Sequence, residues 1–151
     1  MWKPEKMRDG SENSRARFFP TTGGIRKTMN REAGKYYYLL LRNVRGAHAL
    51  EYFRERRLSE QTMQKFGLGY SDKYPDDLYR YLKSKGYEDK LLQDAGLILI
   101  DERRGPHDRF WNRAMFPIMN VHNKIIGFGG RVMGEGEPKY VNSPETPIFD
   151  K

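Results

Sequence analysis

Cysteine is absent from the 151 residues. That excludes disulfides and any cysteine-ligated zinc or iron–sulfur centre within this chain. Histidine is scarce: His48, His107 and His122 lie far apart, with no ligand pattern around them, so no metal site is read. No apolar run approaches the roughly 20 residues that a membrane-spanning helix needs. The opening Met-Trp-Lys-Pro-Glu-Lys lacks the apolar core of a signal peptide. No internal repeat, low-complexity tract or Ser/His/Asp arrangement stands out. The expectation is a soluble cytoplasmic protein of one ordinary domain's length, without a membrane partner.

Charge is plentiful but unevenly placed. The first 57 residues hold 14 Lys/Arg against 6 Asp/Glu, and residues 58–151 hold 14 of each, so the whole net charge of +8 falls in the first third. A basic face fits an acidic partner, most simply nucleic acid. A solvated tail produces the same count.

Along the chain, residues 1–28 mix glycine, serine, proline and charges without period, and a tail with little order is expected there. From Asn30, Ala33, Tyr36, Tyr37, Leu40 and Leu41 recur at helical spacing, with Thr28 or Asn30 as candidate caps and an end near Asn43. The Tyr36-Tyr37-Tyr38 triplet reads either as a base-stacking surface or as core; on a helix the three point about 100° apart. A second helix, 47–56, turns Ala47, Leu50 and either Ala49 or Phe53 inward, with Tyr52 flanking. Ser59 caps a third helix that Gly67 ends, Pro75-Asp76-Asp77 opens a fourth, and a fifth runs over 88–95. Leu97–Ile100 is a short apolar run expected as a strand. Helices first and strands last predict an α+β fold, not alternating βαβ units.

The stretch from Asp108 to Lys151 is the most specific. Met115–Met119 and Lys124–Phe128 flank the polar Asn120-Val121-His122-Asn123, a hairpin signal in which Leu97–Ile100 would be a third strand. Pro117 argues for an edge or a bulge. Gly127, Gly129 and Gly130, ending in Arg131, read as a ligand-cradling loop or as a bent strand against a neighbour. Arg131, Lys139, Tyr140 and Asn142 fall within twelve residues. They offer a planar fork, a point charge, a stacking face and an amide, a set suited to gripping a single-stranded backbone, though an ordinary polar loop also contains such residues. Arg109 and Arg113 share the spacing of one helical face, and Asp108 can pair with either or cap a turn.

The ordered runs D-R-F-x-x-R-x-M-F-P-I, I-G-F-G-G-R and P-K-Y-x-N-S-P-E-T-P-I-F resemble bacterial DNA primase, the DNA-dependent RNA polymerase that makes replication primers. Upstream, Tyr52-Phe53 through Arg56-Arg57-Leu58-Ser59, Phe66–Tyr70 and Leu91–Leu97 are similar to the same family in the same order, over roughly residues 30–151. The resemblance implies the amino-terminal subdomain of the RNA polymerase core, over residues 29–151: several short helices followed by a small, mostly antiparallel sheet. It implies contacts to template, nucleotide or primer at Arg56, Arg109, Arg113, Arg131, Lys139, Tyr140 and Asn142, with Asp108 supporting. It also implies partners: a single-stranded DNA template, RNA primer and nucleoside triphosphates, an adjoining Toprim subdomain, and a replicative helicase reached through a separate carboxy-terminal domain. Mg²⁺ or Mn²⁺ is expected in the full enzyme, with no metal, no catalytic residue and no primer synthesis in residues 1–151 alone. Three positions depart from the pattern: Arg57 stands where the family usually has glycine, and Asn120 and Asn123 where it often has Asp and Gly. The alternative function is a structural module that packs on a partner domain and binds no nucleic acid.

Overall fold

Five α-helices, one 3-10 turn and six strands make up the computed structural model, which describes residues 22–144. The helices are α1 (Thr22–Leu41), α2 (Ala47–Glu55), α3 (Glu60–Phe66), α4 (Asp77–Ser84) and α5 (Asp89–Asp94). The strands are β1 (Gly69–Ser71), β2 (Ile98–Asp101), β3 (Gly105–Asp108), β4 (Arg113–Met119), β5 (Ile125–Val132) and β6 (Tyr140–Asn142). Four strands form an antiparallel sheet in the order β1-β4-β5-β6, and β2 and β3 form a separate hairpin. The fold is α+β, as expected, although β1 lies between α3 and α4 and the helices therefore do not all precede the strands.

The sheet separates two apolar layers, because side chains alternate between the faces of a strand. Met115 and Phe128 project into one layer with Ala33 and Tyr37 of α1, Leu78 and Leu82 of α4, and Leu92 of α5. Ala114 projects into the other, with Phe53 of α2, Met63 of α3 and Tyr70 of β1; Phe116 packs on it, its ring 5.7 Å from that of Phe53. Burying residues of this size stabilises by about 1.5–3 kcal/mol each.

Local signals explain most boundaries. Ser59 caps α3 by accepting a hydrogen bond from the Thr62 N–H at 3.1 Å, and Gly67 ends the helix at φ 65°. At the β4–β5 turn the Asn120 side chain accepts from the N–H groups of His122 and Lys124, and Asn123 takes φ 60°. Asparagine tolerates that left-handed conformation, so both asparagines do the work expected of Asp and Gly. Pro117 sits where β4 has outrun the three-residue β1, so its missing N–H faces a free edge; a register shift follows at Ile118/Met119.

Several expectations are corrected. Residues 22–28 belong to α1, against the expectation of a tail there, and the rest of that expectation, residues 1–21, lies outside the described residues. Neither candidate cap caps α1. Thr28 donates back to the Gly24 carbonyl, and the buried Asn30 amide donates to the Ile125 carbonyl, tying α1 to β5. Leu97–Ile100 does not join the main sheet: β2 pairs with β3 through a turn at 102–104, and the third and fourth strands are β1 and β6. Both Ala49 and Phe53 are buried on α2, whereas Ala47 is exposed. The tyrosine triplet is mostly core: Tyr37 and Tyr38 are buried and Tyr36 packs on Tyr81 at 4.9 Å.

Candidate functional site

The main sheet ends at β6, and its pairing with β5 brings the candidate residues together. Arg131 lies directly opposite Tyr140, and Gly129 opposite Asn142. Directly opposed residues share a face. The Arg131 guanidinium carbon is 5.6 Å from the centre of the Tyr140 ring, and the ring is 62% exposed. Arg131 donates from Nη1 to the Val132 carbonyl at 2.7 Å, which fixes its head group.

Helix α2 completes this face. Arg56 caps the carboxyl end of α2, four residues after Tyr52 and so one turn along on the same side; the Arg56 guanidinium lies 3.9 Å from the centre of the Tyr52 ring. The same ring is 5.4 Å from the guanidinium of Arg131. Arg56, Tyr52, Arg131 and Tyr140 thus form a continuous alternation of cation and ring, drawn from α2, β5 and β6. By sequence Tyr52 reads as a flank of its helix and as part of the run, Tyr52 to Ser59, that resembles the family, with no site role; its four-residue spacing to Arg56 is the signal that pairs the two.

The glycine run behaves as a bent strand against neighbours. A Cβ on Gly129 would stand 2.9 Å from Asn142 Oδ1, and one on Gly130 about as close to Arg113, Phe110 and Met115. These contacts are within the protein, and among the described residues no helix follows to cradle a phosphate.

Arg109, Arg113 and Asp108 play a different part. Arg109 donates from Nη2 to the Asn142 carbonyl at 2.9 Å, holding the edge strand. Arg113 is buried and spends its donors on the carbonyls of Gly130, Pro138 and Lys139, which shapes the loop leading into β6. Burial draws the guanidinium pKa of both arginines down. The two arginines do not share a helical face; each sits in or beside a strand. Asp108 accepts hydrogen bonds from the N–H groups of Leu78 and Tyr79, both at 2.9 Å, and so caps α4 from β3. The helix's own leading residue, Asp76, makes no such bond. Burial pushes the Asp108 carboxyl up to about 7, against those two N–H bonds and with Asp77 and Asp76 adding to the rise. Lys139 is exposed; its carbonyl accepts from the Val132 N–H, and its side chain makes no hydrogen bond or ion pair among the described residues.

A cavity of about 660 Å³ opens beside β6, between the β2–β3 hairpin and the 134–138 loop, with Lys73, Arg104, His107, Arg109 and Trp111 among its walls. Among the described residues no three His, Cys, Asp or Glu converge to hold a metal ion, and no helix is long and apolar enough to cross a membrane. The carboxylates of residues 22–144 therefore do not fit the divalent metal that the resemblance implies for the whole enzyme.

Residues 36–151 match the family model described as the DNA primase catalytic core, N-terminal domain. The chain is 44% identical over 124 residues to a DNA primase of Clostridium acetobutylicum, covering 82% of this chain and 20% of that protein. It is 41% identical over 117 residues to a DNA primase of Staphylococcus aureus, covering 77% and 20%. The chain thus spans about a fifth of the length of these relatives. Among solved structures, the RNA polymerase domain of Mycobacterium tuberculosis primase in complex with double-stranded DNA superposes with a TM-score of 0.78 at 34% identity, over 83% of this chain and 40% of that one. A primase catalytic domain bound to single-stranded DNA superposes with a TM-score of 0.76 at 34% identity, with the same coverage.

Proposed function

Because the chain belongs to the family of DNA primase catalytic core N-terminal domains, we propose that it is the part of the primase RNA polymerase domain that holds single-stranded template DNA during primer synthesis. The observation that carries this reading is the alternation of Arg56, Tyr52, Arg131 and Tyr140 across α2, β5 and β6. Guanidinium groups neutralise phosphates, and an exposed ring gives a base a face to stack on whatever its sequence. Lys139 adds a mobile point charge, and the Asn142 amide, on the face of Arg131 and Tyr140, is placed to hydrogen-bond a base or sugar. Arg109, Arg113 and Asp108 act through the scaffold: Arg109 holds β6, Arg113 shapes the loop before it, and Asp108 secures α4. Metal-assisted nucleotidyl transfer falls to the adjoining Toprim part of the enzyme, and the present chain by itself makes no primer.

The test is fluorescence anisotropy with a labelled single-stranded oligonucleotide at low salt. Arg131→Ala with Lys139→Ala should weaken binding at least tenfold, since each cation removed from a phosphate forfeits the counterion release it drives. Unchanged affinity would overturn the site.

A second reading, a module that docks on a neighbouring domain, is favoured by Leu99, Ile100 and Trp111, which are 42–49% exposed. It predicts self-association in light scattering and no response of anisotropy to the double substitution.

A further inference from the structure

Tyr52 carries no charge and is less open than Tyr140, yet among the described residues its ring is the one that touches both arginines of the cation–aromatic row. Its own place is secure. It leads Phe53, a fully buried residue of the α2 layer, meets that ring edge-on at 5.6 Å, and is itself half-buried against the same cluster. The ring therefore cannot swing away without unpacking α2. On this fixed ring rest two guanidinium groups from elements 75 residues apart in sequence, Arg56 at 3.9 Å and Arg131 at 5.4 Å.

Two physical consequences follow. An arginine side chain loses considerable rotamer freedom when it is immobilised on a ligand. A ring that already holds it lowers that cost before the ligand arrives. Two cations brought close also repel one another, and the negative face of an aromatic ring offsets this. Arg131 shows the result: Nη1 is fixed on Val132, the head group lies within reach of two rings, and Nη2 makes no hydrogen bond among the described residues. Arg56, on the Tyr52 ring, makes no ion pair among the described residues, so both charges remain available to an anion.

We propose that Tyr52 is a positioning residue for single-stranded nucleic acid: its ring aligns Arg56 and Arg131 so that the two bind phosphates of one strand as a unit. This rests on the template-binding reading and deepens it. The hydroxyl is not required, because the contacts are made by the ring.

The experiment measures oligonucleotide affinity of the full 151-residue chain by anisotropy at low salt, with circular dichroism melts as a check on folding. Tyr52→Leu should weaken binding about fivefold to tenfold, the size expected when a ring that holds two cations is removed. Tyr52→Phe should bind as the unsubstituted chain does. In a background carrying Arg56→Ala and Arg131→Ala, Tyr52→Leu should have no further effect, because the residues it positions are gone. Should Tyr52→Leu lower the melting temperature, Tyr52→Met, which keeps volume without the π face, takes its place. The proposal is overturned if Tyr52→Leu and Tyr52→Met bind normally, if Tyr52→Phe binds as weakly as Tyr52→Leu, or if the loss persists in the double-alanine background. The template-binding reading fails separately, when Arg131→Ala with Lys139→Ala leaves affinity unchanged; loss of binding there with a normal Tyr52→Leu sinks only the role of Tyr52.

Discussion

Asp108 sits in a place that penalises its charge, with burial raising its carboxyl to about 7. An unfolded aspartate titrates near ~3.9. The native state therefore holds this proton more tightly than the unfolded chain, so the stability it contributes is complete below the unfolded value and is lost as pH rises through about 7. Asp108→Asn keeps a neutral acceptor against the α4 amides, and should remove the decline expected between about pH 4 and 7 for the unsubstituted chain. Urea midpoints across that range decide it; parallel profiles would mean that Asp108 titrates elsewhere. Arg57 carries a different strain, in the backbone: it adopts φ 62°, where a Cβ crowds the following carbonyl oxygen. That conformation suits the glycine that the resemblance leads one to expect at this position. Arg57→Gly should raise stability by about 1 kcal/mol, read as a higher urea midpoint with an unchanged slope.

Elements meet here through close approaches that a single methyl would block. A Cβ on Gly69 of β1 would lie 2.6–2.7 Å from the Tyr37 backbone and Cβ on α1. Neither a helix nor a sheet strand can yield by that amount without repacking. Gly69→Ala should cost about 1–3 kcal/mol and show as an earlier melt, with the destabilisation concentrated where α1 meets β1. A neutral outcome would mean that α1 can shift relative to the sheet. The same tight contact positions the site: α1 and β1 set the sheet, the sheet sets β5, and β6 follows by pairing. The motif legible in the sequence around Lys139 and Tyr140 depends on this chain of contacts, together with Arg113 holding the loop and Arg109 holding the edge.

Across the whole molecule, the charge imbalance and the candidate site do not coincide. The excess lies in the first 57 residues, yet Arg109, Arg113, Arg131 and Lys139 all come from the balanced remainder, and only Arg56 belongs to the basic third. Binding to single-stranded DNA should therefore depend on a few placed cations and not on net charge. With Arg56, Arg131 and Lys139 as phosphate contacts, log affinity should fall against log salt with a slope of about −2, and Arg131→Ala should reduce the slope by about 0.7. Anisotropy titrations over about 50–200 mM salt measure both. A slope unchanged by Arg131→Ala would place the phosphate contacts elsewhere.

The amino-acid sequence by itself determined the local features: the Ser59 cap, the Gly67 stop and the asparagine-closed β4–β5 turn; the order of helices and strands was legible only in part, because β1 precedes α4 and α5. Each follows from the conformational preferences of a few neighbouring residues. The ordered motifs also disclosed the family, and they named the candidate residues around β5 and β6. Tertiary structure alone decided which of those residues share a face. Strand pairing set Arg131 against Tyr140 and sent Asp108 to cap a helix about thirty residues upstream. It buried Arg113 among carbonyls and brought Tyr52 from α2 beneath two arginines. Those relations arise from contacts between residues distant in the chain, and the energy that selects them is packing across the sheet, which no local spacing reports.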